Sequence, residues 1–582
     1  MERHEEPDRS IRQIRSFLRT PRPDERFSVG GRVEAALDDN PEGFRRLMNK
    51  LAARIARERW SEPIEEGLQP EDNPHIHAGY TYMLQLIAHD MVHSSVSLAE
   101  AATGAIEITN TRVYPLTLET IYGGGPDVCP QVYEFDRAVR ENIDVIPRTR
   151  FRVGQSQTRN GHMEGCPVRD IARAIPAQVG DQGLGPKEKL ELSKAGTNPW
   201  RTEALIADPR NDDHAIISQL AGLWQGLHNH ILEIMQPAAE MASLPPAEQA
   251  YRRFFCARIV TTLIYRNIVR EDVLPLILHP DINKLYSRPD RPHLDGERSG
   301  TPDGIPGEFL AGAFRIGHAM VRNGYRVNSD EEIETALALQ QSSNRSPFSL
   351  PLNESWLIDW SRFFRFTERE PNYAHRIGPV YAGALKNSSV FPPLTAMDRA
   401  GLPGRDLVTA GYSDLWSVPA LVAEIRSRGL EAALPDYSEW RDKVRAWLAI
   451  PPPGIAEDPA PFTPEEMDIL AADPPLPLFI LLEAAQSING APSPTDVASG
   501  ESLHLGALGS IIVAETLYGA LERTPVTFEG DHRHLRDRIA AASHELLGTA
   551  DALHTIPEIA TMSDLLRFMI AGGAVPAPIT AR

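Results

Sequence analysis

Helical periodicity recurs along this chain, and proline keeps cutting it short. There are 49 prolines in 582 residues, where average usage is about 5%. Proline lacks the N–H that a helix interior needs, and its ring clashes with the preceding turn. A chain of this kind folds as many short helices joined by long surface connections. Residues 1–70 read as two or three short helices around a Pro/Gly-rich break at Thr20 to Arg32. Helical spacing follows at 71–100, after Pro209, over Ala247 to Arg270, around Phe309 to Asn323, over Leu478 to Ser487 and Leu508 to Leu521, and at Leu535, Ile539, His544 and Leu547. Thr109 to Pro126 reads as a loop with a short extended piece, and Pro289 to Gly307 and Pro451 to Glu465 read as connectors. Strand alternation is scarce and no internal repeat occurs. The expected fold class is mainly α, a large single helical domain with little β structure.

Charge narrows the partners. With 59 basic and 79 acidic residues the net charge is −20, which argues against a nucleic-acid groove or an anionic membrane surface. No stretch reaches the roughly 20 apolar residues of a membrane span. The three cysteines, Cys129, Cys166 and Cys256, match no zinc spacing and leave one unpaired in any disulfide scheme. The first residues are highly charged and carry no apolar core of a signal peptide. The expectation is a cytoplasmic protein, or one secreted without a Sec signal.

One helical heptapeptide, Gln85-Leu86-Ile87-Ala88-His89-Asp90-Met91, carries unusual side chains. Gln85 and His89 are four apart and share a helix face, while Leu84, Ile87 and Met91 form an apolar stripe. Distant segments add complementary groups: Arg210 just after Pro209, His318 beside Gly317, and Asp406 in Leu402-Pro403-Gly404-Arg405-Asp406-Leu407. Peroxide cleavage on haem needs four protein functions: a base, a cation, an axial ligand, and an acceptor that fixes the ligand's tautomer. His89, Arg210, His318 and Asp406 are the candidates in that order. Gly317 fits the scheme because a missing side chain lets a flat ring approach the backbone.

At these residues the chain resembles the animal haem peroxidase family, the superfamily of myeloperoxidase, lactoperoxidase and the cyclooxygenases. Gln85-x-x-x-His89-Asp90 is similar to that family's distal helix. Asp208-Pro209-Arg210, with His228-Asn229 downstream, resembles the segment bearing the catalytic Arg. Ala313-Phe314-Arg315-Ile316-Gly317-His318 is close to the proximal-His motif. Leu505-Gly506-Ala507-Leu508-Gly509-Ser510-Ile511-Ile512-Val513-Ala514-Glu515 resembles a late helix of bacterial members, and Pro477 to Ala484 fits the helix before it. The resemblance spans about residues 70–525. It implies a haem-peroxidase-like domain over 71–525, with an N-terminal helical extension (1–70) and a C-terminal helical segment (526–582) packed on it.

The resemblance implies a peroxidase that uses hydrogen peroxide to oxidise small organic donors or halides through a ferryl intermediate. His89, Arg210 and Gln85 would be catalytic. His318 would be the axial iron ligand, with Asp406, Arg315 and Asp213 also at the cofactor. Departures refine this. Mammalian members tether haem through an Asp just before the distal His and a Glu three after the Arg; here these are Ala88 and Asp213, so mostly or wholly non-covalent haem b is expected. Asp90, Thr117 and Glu119 stand at the calcium-ligand positions, which leaves a weakened calcium site. Arg315 stands where the cyclooxygenases have their radical Tyr, which argues against that chemistry. Other readings are a non-catalytic haem-binding or degenerate member, and a haem dioxygenase or peroxygenase. A zinc hydrolase using His75-x-His77 or His89-x-x-x-His93 lacks the Glu its chemistry needs.

Overall fold

Prolines open several of the helices here. The computed structural model describes residues 12–13, 15–27, 41–56, 68–93, 109–110, 112, 114–135, 147–154, 170–174, 202–294, 304–346, 350, 352–386, 390–391, 401–450, 461–485, 502–523 and 534–576. The chain is mainly α. Helix α1 is Pro41–Ile55, α2 is Ala78–Met91, α3 is Glu119–Tyr122, and α4 is Ala215–Ile234. Helix α5, Pro246–Ile268, has Pro at its first position, where the missing N–H would be unpaired anyway. It runs on through a π turn at Val269–Val273 to a further helical turn at Leu274–Ile277. Strands are short and pair only as two-stranded antiparallel ladders, five among the described residues.

Helix α2 lies in the middle of the fold, and twelve of its 14 residues are buried. A helix apolar on all sides belongs in a core rather than on a surface. Full burial of each of Met83, Leu86, Ile87 and Met91 contributes about 1.5–3 kcal/mol. At Gly79 a Cβ would stand 2.4 Å from Cζ of Phe364, so the missing side chain permits a close crossing of the chain. One hydrophobic cluster joins Phe17, α2, α4 and α5 to residues as late as Val575. Asp272, in the π turn, accepts the Tyr80 hydroxyl at 2.8 and 3.0 Å. The same carboxylate accepts the N–H of Met562 at 2.8 Å, from the first turn of the helix Met562–Ala571. Among the described residues no helix is long and apolar enough to cross a membrane.

Several expectations need correction. His75 and His77, weighed above only as a zinc pair, lie in a strand, Asp72–His77, which pairs with Tyr373–His375. The single helix expected from Phe309 to Asn323 is three short pieces: α6 (Gly307–Leu310), a 3-10 turn (Ala313–Arg315) and α7 (Ile316–Ala319). Gly312 makes the break, at φ −121 and ψ −97. A Cβ there would meet the Glu308 carbonyl at 2.4 Å and Leu476 at 2.5 Å. Asp406 lies in helix α8, Gly401–Gly411, for which no helical spacing was expected, and is buried. Cys166, residues 295–303 of the Pro289 to Gly307 connector and residues 451–460 of the Pro451 to Glu465 connector fall outside the described residues.

Candidate active site

A cavity of about 340 Å³ opens between α2 and the broken segment that ends in α7. Its walls are largely apolar, with Leu84, Val92, Phe309, Phe314, Leu339 and Phe391 among them. Gln85, His89, Arg210, Asp213, Arg315 and His318 line the same space. Segments more than 200 residues apart thus meet there.

On the α2 side, His89 Nδ1 lies 2.9 Å from Asn211 Oδ1. The Asn211 amide orientation follows from its nitrogen, which donates to the Thr120 carbonyl and hydroxyl at 3.0 Å each. Oδ1 is therefore the acceptor, Nδ1 carries the proton, and Nε2 keeps its lone pair. Burial, reinforced by the charge of Arg210, lowers the His89 pKa to about 4. The ring is neutral at neutral pH.

Arg210 is positioned from below. Asp208 caps the 3-10 turn Pro209–Asp212 by accepting the Arg210 N–H at 3.1 Å. The same carboxylate accepts Arg210 Nε at 3.0 Å and Nη2 at 2.7 Å, and Nη2 also donates to the His89 carbonyl at 2.8 Å. Arg210 Nη1 makes no hydrogen bond among the described residues, and about a third of the side chain is exposed (33%). Arg112 donates to Asp208 as well, at 2.6 Å. Burial works against ionised Asp208, but the bonds and charge of Arg210 hold its carboxyl well below the usual range.

Gln85 is engaged by a residue that the sequence reading missed. His214 caps α4, its Nδ1 accepting the Ile217 N–H at 3.3 Å. Its Nε2 proton is thereby directed to Gln85 Oε1 at 3.0 Å. Burial lowers the His214 pKa to about 3. Asp213, half-buried at the cavity edge, has its carboxyl pushed up to about 6 by burial.

The opposite wall is simpler. His318 Nδ1 donates to Asp406 Oδ2 at 2.7 Å, which leaves Nε2 as the ring nitrogen without a hydrogen-bond partner among the described residues. Tyr381, also unforeseen, donates its hydroxyl to the same oxygen at 3.1 Å. Arg315 Nη1 lies 3.7 Å from Asp406 Oδ1. Its Nε and Nη2 are buried with no hydrogen-bond partner. A Cβ on Gly317 would have nothing within 4 Å. An open face, an imidazole nitrogen with no protein partner, unpaired guanidinium N–H groups and apolar walls together suit a flat ring with carboxylate tails, as haem is.

The remaining motif residues separate. His228 and Asn229 turn away and hold the main chain near Thr149 and Phe151. Asp90 accepts N–H groups of Leu118 and Thr120. Thr117 donates to the Tyr114 carbonyl, and Glu119 faces Arg112 at 3.9 Å. Among the described residues no group of three His, Cys, Asp or Glu is gathered to hold a metal ion, which removes the support for a zinc centre at His89 and His93.

Residues 174–368, which include Arg210 and His318, match the family model described as animal haem peroxidase. No curated protein matches the chain. Peroxidase A from Dictyostelium discoideum is similar in structure, at 13% identity over 91% of this chain and 90% of that one, with a TM-score of 0.47. Fatty acid alpha-dioxygenase from Oryza sativa is similar at 11% identity over 90% and 79%, with a TM-score of 0.46. The Arabidopsis thaliana fatty acid alpha-dioxygenase is similar at 10% identity over 93% and 79%, with a TM-score of 0.44.

Proposed function

We propose that this chain, an animal haem peroxidase by its matched segment, is a haem-dependent peroxidase that uses hydrogen peroxide to oxidise small organic donors or halides. One observation carries the reading. Two histidines on opposite walls of one cavity each bond through Nδ1 and leave Nε2 without a protein partner, with a guanidinium beside the first.

His318 Nε2 is the group that would ligate iron, and Asp406 holds its Nδ1 proton. The unpaired Arg315 N–H groups suit the carboxylate tails, and Gly317 leaves clearance for the ring. Ala88 offers no oxygen for an ester, and Asp213 has the shorter arm, so we assign non-covalent haem b. When bound, haem supplies the iron through which peroxide's oxidising equivalents reach the donor. His89 Nε2 takes the peroxide proton and returns it to the departing oxygen. Arg210 stabilises the negative charge that develops as the O–O bond breaks. Gln85, its carbonyl held by His214, turns its amide N–H groups to a distal water or halide. A haem carrier would need only the His318 wall, whereas this cavity also has a neutral base beside a cation.

The test is the absorption spectrum of the purified protein before and after peroxide, in a stopped-flow mixer. His89→Ala is expected to keep its haem band and to form the oxidised species about 100- to 10,000-fold more slowly. An unchanged rate would remove His89 from the mechanism.

A further inference from the structure

The loop Tyr114 to Tyr122 stands where the family resemblance looks for calcium, and its donors face the wrong way for a cation. Asp90 is fully buried, and its two oxygens accept main-chain N–H groups from Leu118 at 2.8 Å and Thr120 at 3.2 Å. N–H groups gathered round a carboxylate form an anion nest, whereas calcium takes about six to eight oxygens turned inward. The other expected ligands are occupied elsewhere. Thr117 donates its hydroxyl to Tyr114 O at 2.8 Å on the exposed side, and Glu119 is paired with Arg112.

A cation already sits on the inner side of the loop. Arg266 of α5 is completely buried. Its Nη1 donates to the Leu116 carbonyl at 3.3 Å, and Nη2 donates to the Leu521 carbonyl. The backbone at Leu116 and Leu118 is left-handed, at φ 58 and φ 56, a conformation that a bulky residue keeps only where its surroundings enforce it. Both leucines are fully buried.

We infer that this loop is held without a divalent ion, by the Asp90 carboxylate from one side and the Arg266 guanidinium from the other. The consequence reaches the cavity. Thr120, tied to Asp90 through its N–H, accepts Asn211 Nδ2 through its carbonyl and hydroxyl. Asn211 in turn takes the Nδ1 proton of His89. The orientation of His89 therefore follows from side chains of this protein and not from metal occupancy. This inference stands whatever reaction the cavity supports.

The experiment compares the full-length protein in excess EGTA and in excess calcium chloride, by thermal melting, with calcium content measured after dialysis. The two melts are expected to coincide and no stoichiometric calcium to remain. A saturable rise in Tm with calcium, or one retained equivalent, would overturn the inference. Arg266→Met keeps much of the side chain's bulk and removes its charge. It is expected to melt several degrees lower in both buffers, and a variant melting like the parent would overturn the part assigned to Arg266. Should that variant fail to fold, the comparison on the unaltered chain decides by itself.

Discussion

The two walls of the cavity hold their histidines by different chemistry. His89 gives its Nδ1 proton to a neutral amide, Asn211. His318 gives its Nδ1 proton to a carboxylate, Asp406. An amide cannot compensate an imidazolium, so burial beside Arg210 keeps His89 neutral down to about pH 4. A carboxylate draws on the Nδ1 proton and makes Nε2 a stronger donor to a metal. The first arrangement suits a ring that borrows and returns a proton, and the second suits a ring that stays bound. The supporting structures differ too. Asn211 is part of a network through Thr120, Asp90 and Asp208, whereas Asp406 rests on Tyr381 and Arg315.

The contrast can be broken in stages. The largest effect is expected from His318→Ala, which should lose haem altogether, as the absorption spectrum of the purified variant would reveal; a retained, unaltered spectrum would move the ligand elsewhere. Arg210→Ala should keep haem and slow peroxide cleavage about 100- to 1000-fold in stopped-flow. Exchanging the two acceptors is subtler. Asn211→Asp places a carboxylate behind His89 and should raise its pKa by about 1–3 units, while Asp406→Asn should shift the haem potential upward in a redox titration. If both exchanges left the two readouts unmoved, the distinction between the walls would carry no chemistry. The smallest effect concerns pH in the parent protein. His89 is depressed, so its base form persists as pH falls and is lost only through about pH 4. The peroxide step should stay level from neutral pH down and then fall about tenfold per unit below that point.

The motif residues could be read from the sequence because each sits in a local pattern. Gln85 and His89 share a face at helical spacing, Arg210 follows a proline that opens a turn, and His318 follows a glycine. What escaped was the wiring between them. His89 and Asn211 are 122 residues apart, and Gln85 and His214 are 129 apart. Asn211 lies next to Arg210, yet nothing local says that its amide will reach a histidine on another helix. Tyr381 gave no signal, because its partner is reached only once α8 packs behind α7. The broken segment before His318 was misread for a related reason. Gly312 passes as a tolerated glycine in a periodic stretch until Leu476 and the Glu308 carbonyl are seen to leave no room for a Cβ. Helix content was legible, but the short ladder at Asp72–His77 was not, since its partner strand lies some 300 residues on.

Asp272 joins two ends of the fold that have no sequence relation. The first turn of α2 and the first turn of the helix Met562–Ala571 share its carboxylate as a common anchor. Anything that peels that closing helix away strands a buried carboxylate and loosens Tyr80, nine residues before His89. Deletions or bulky fusions beyond that helix would therefore register as defects in the cavity that His89 lines.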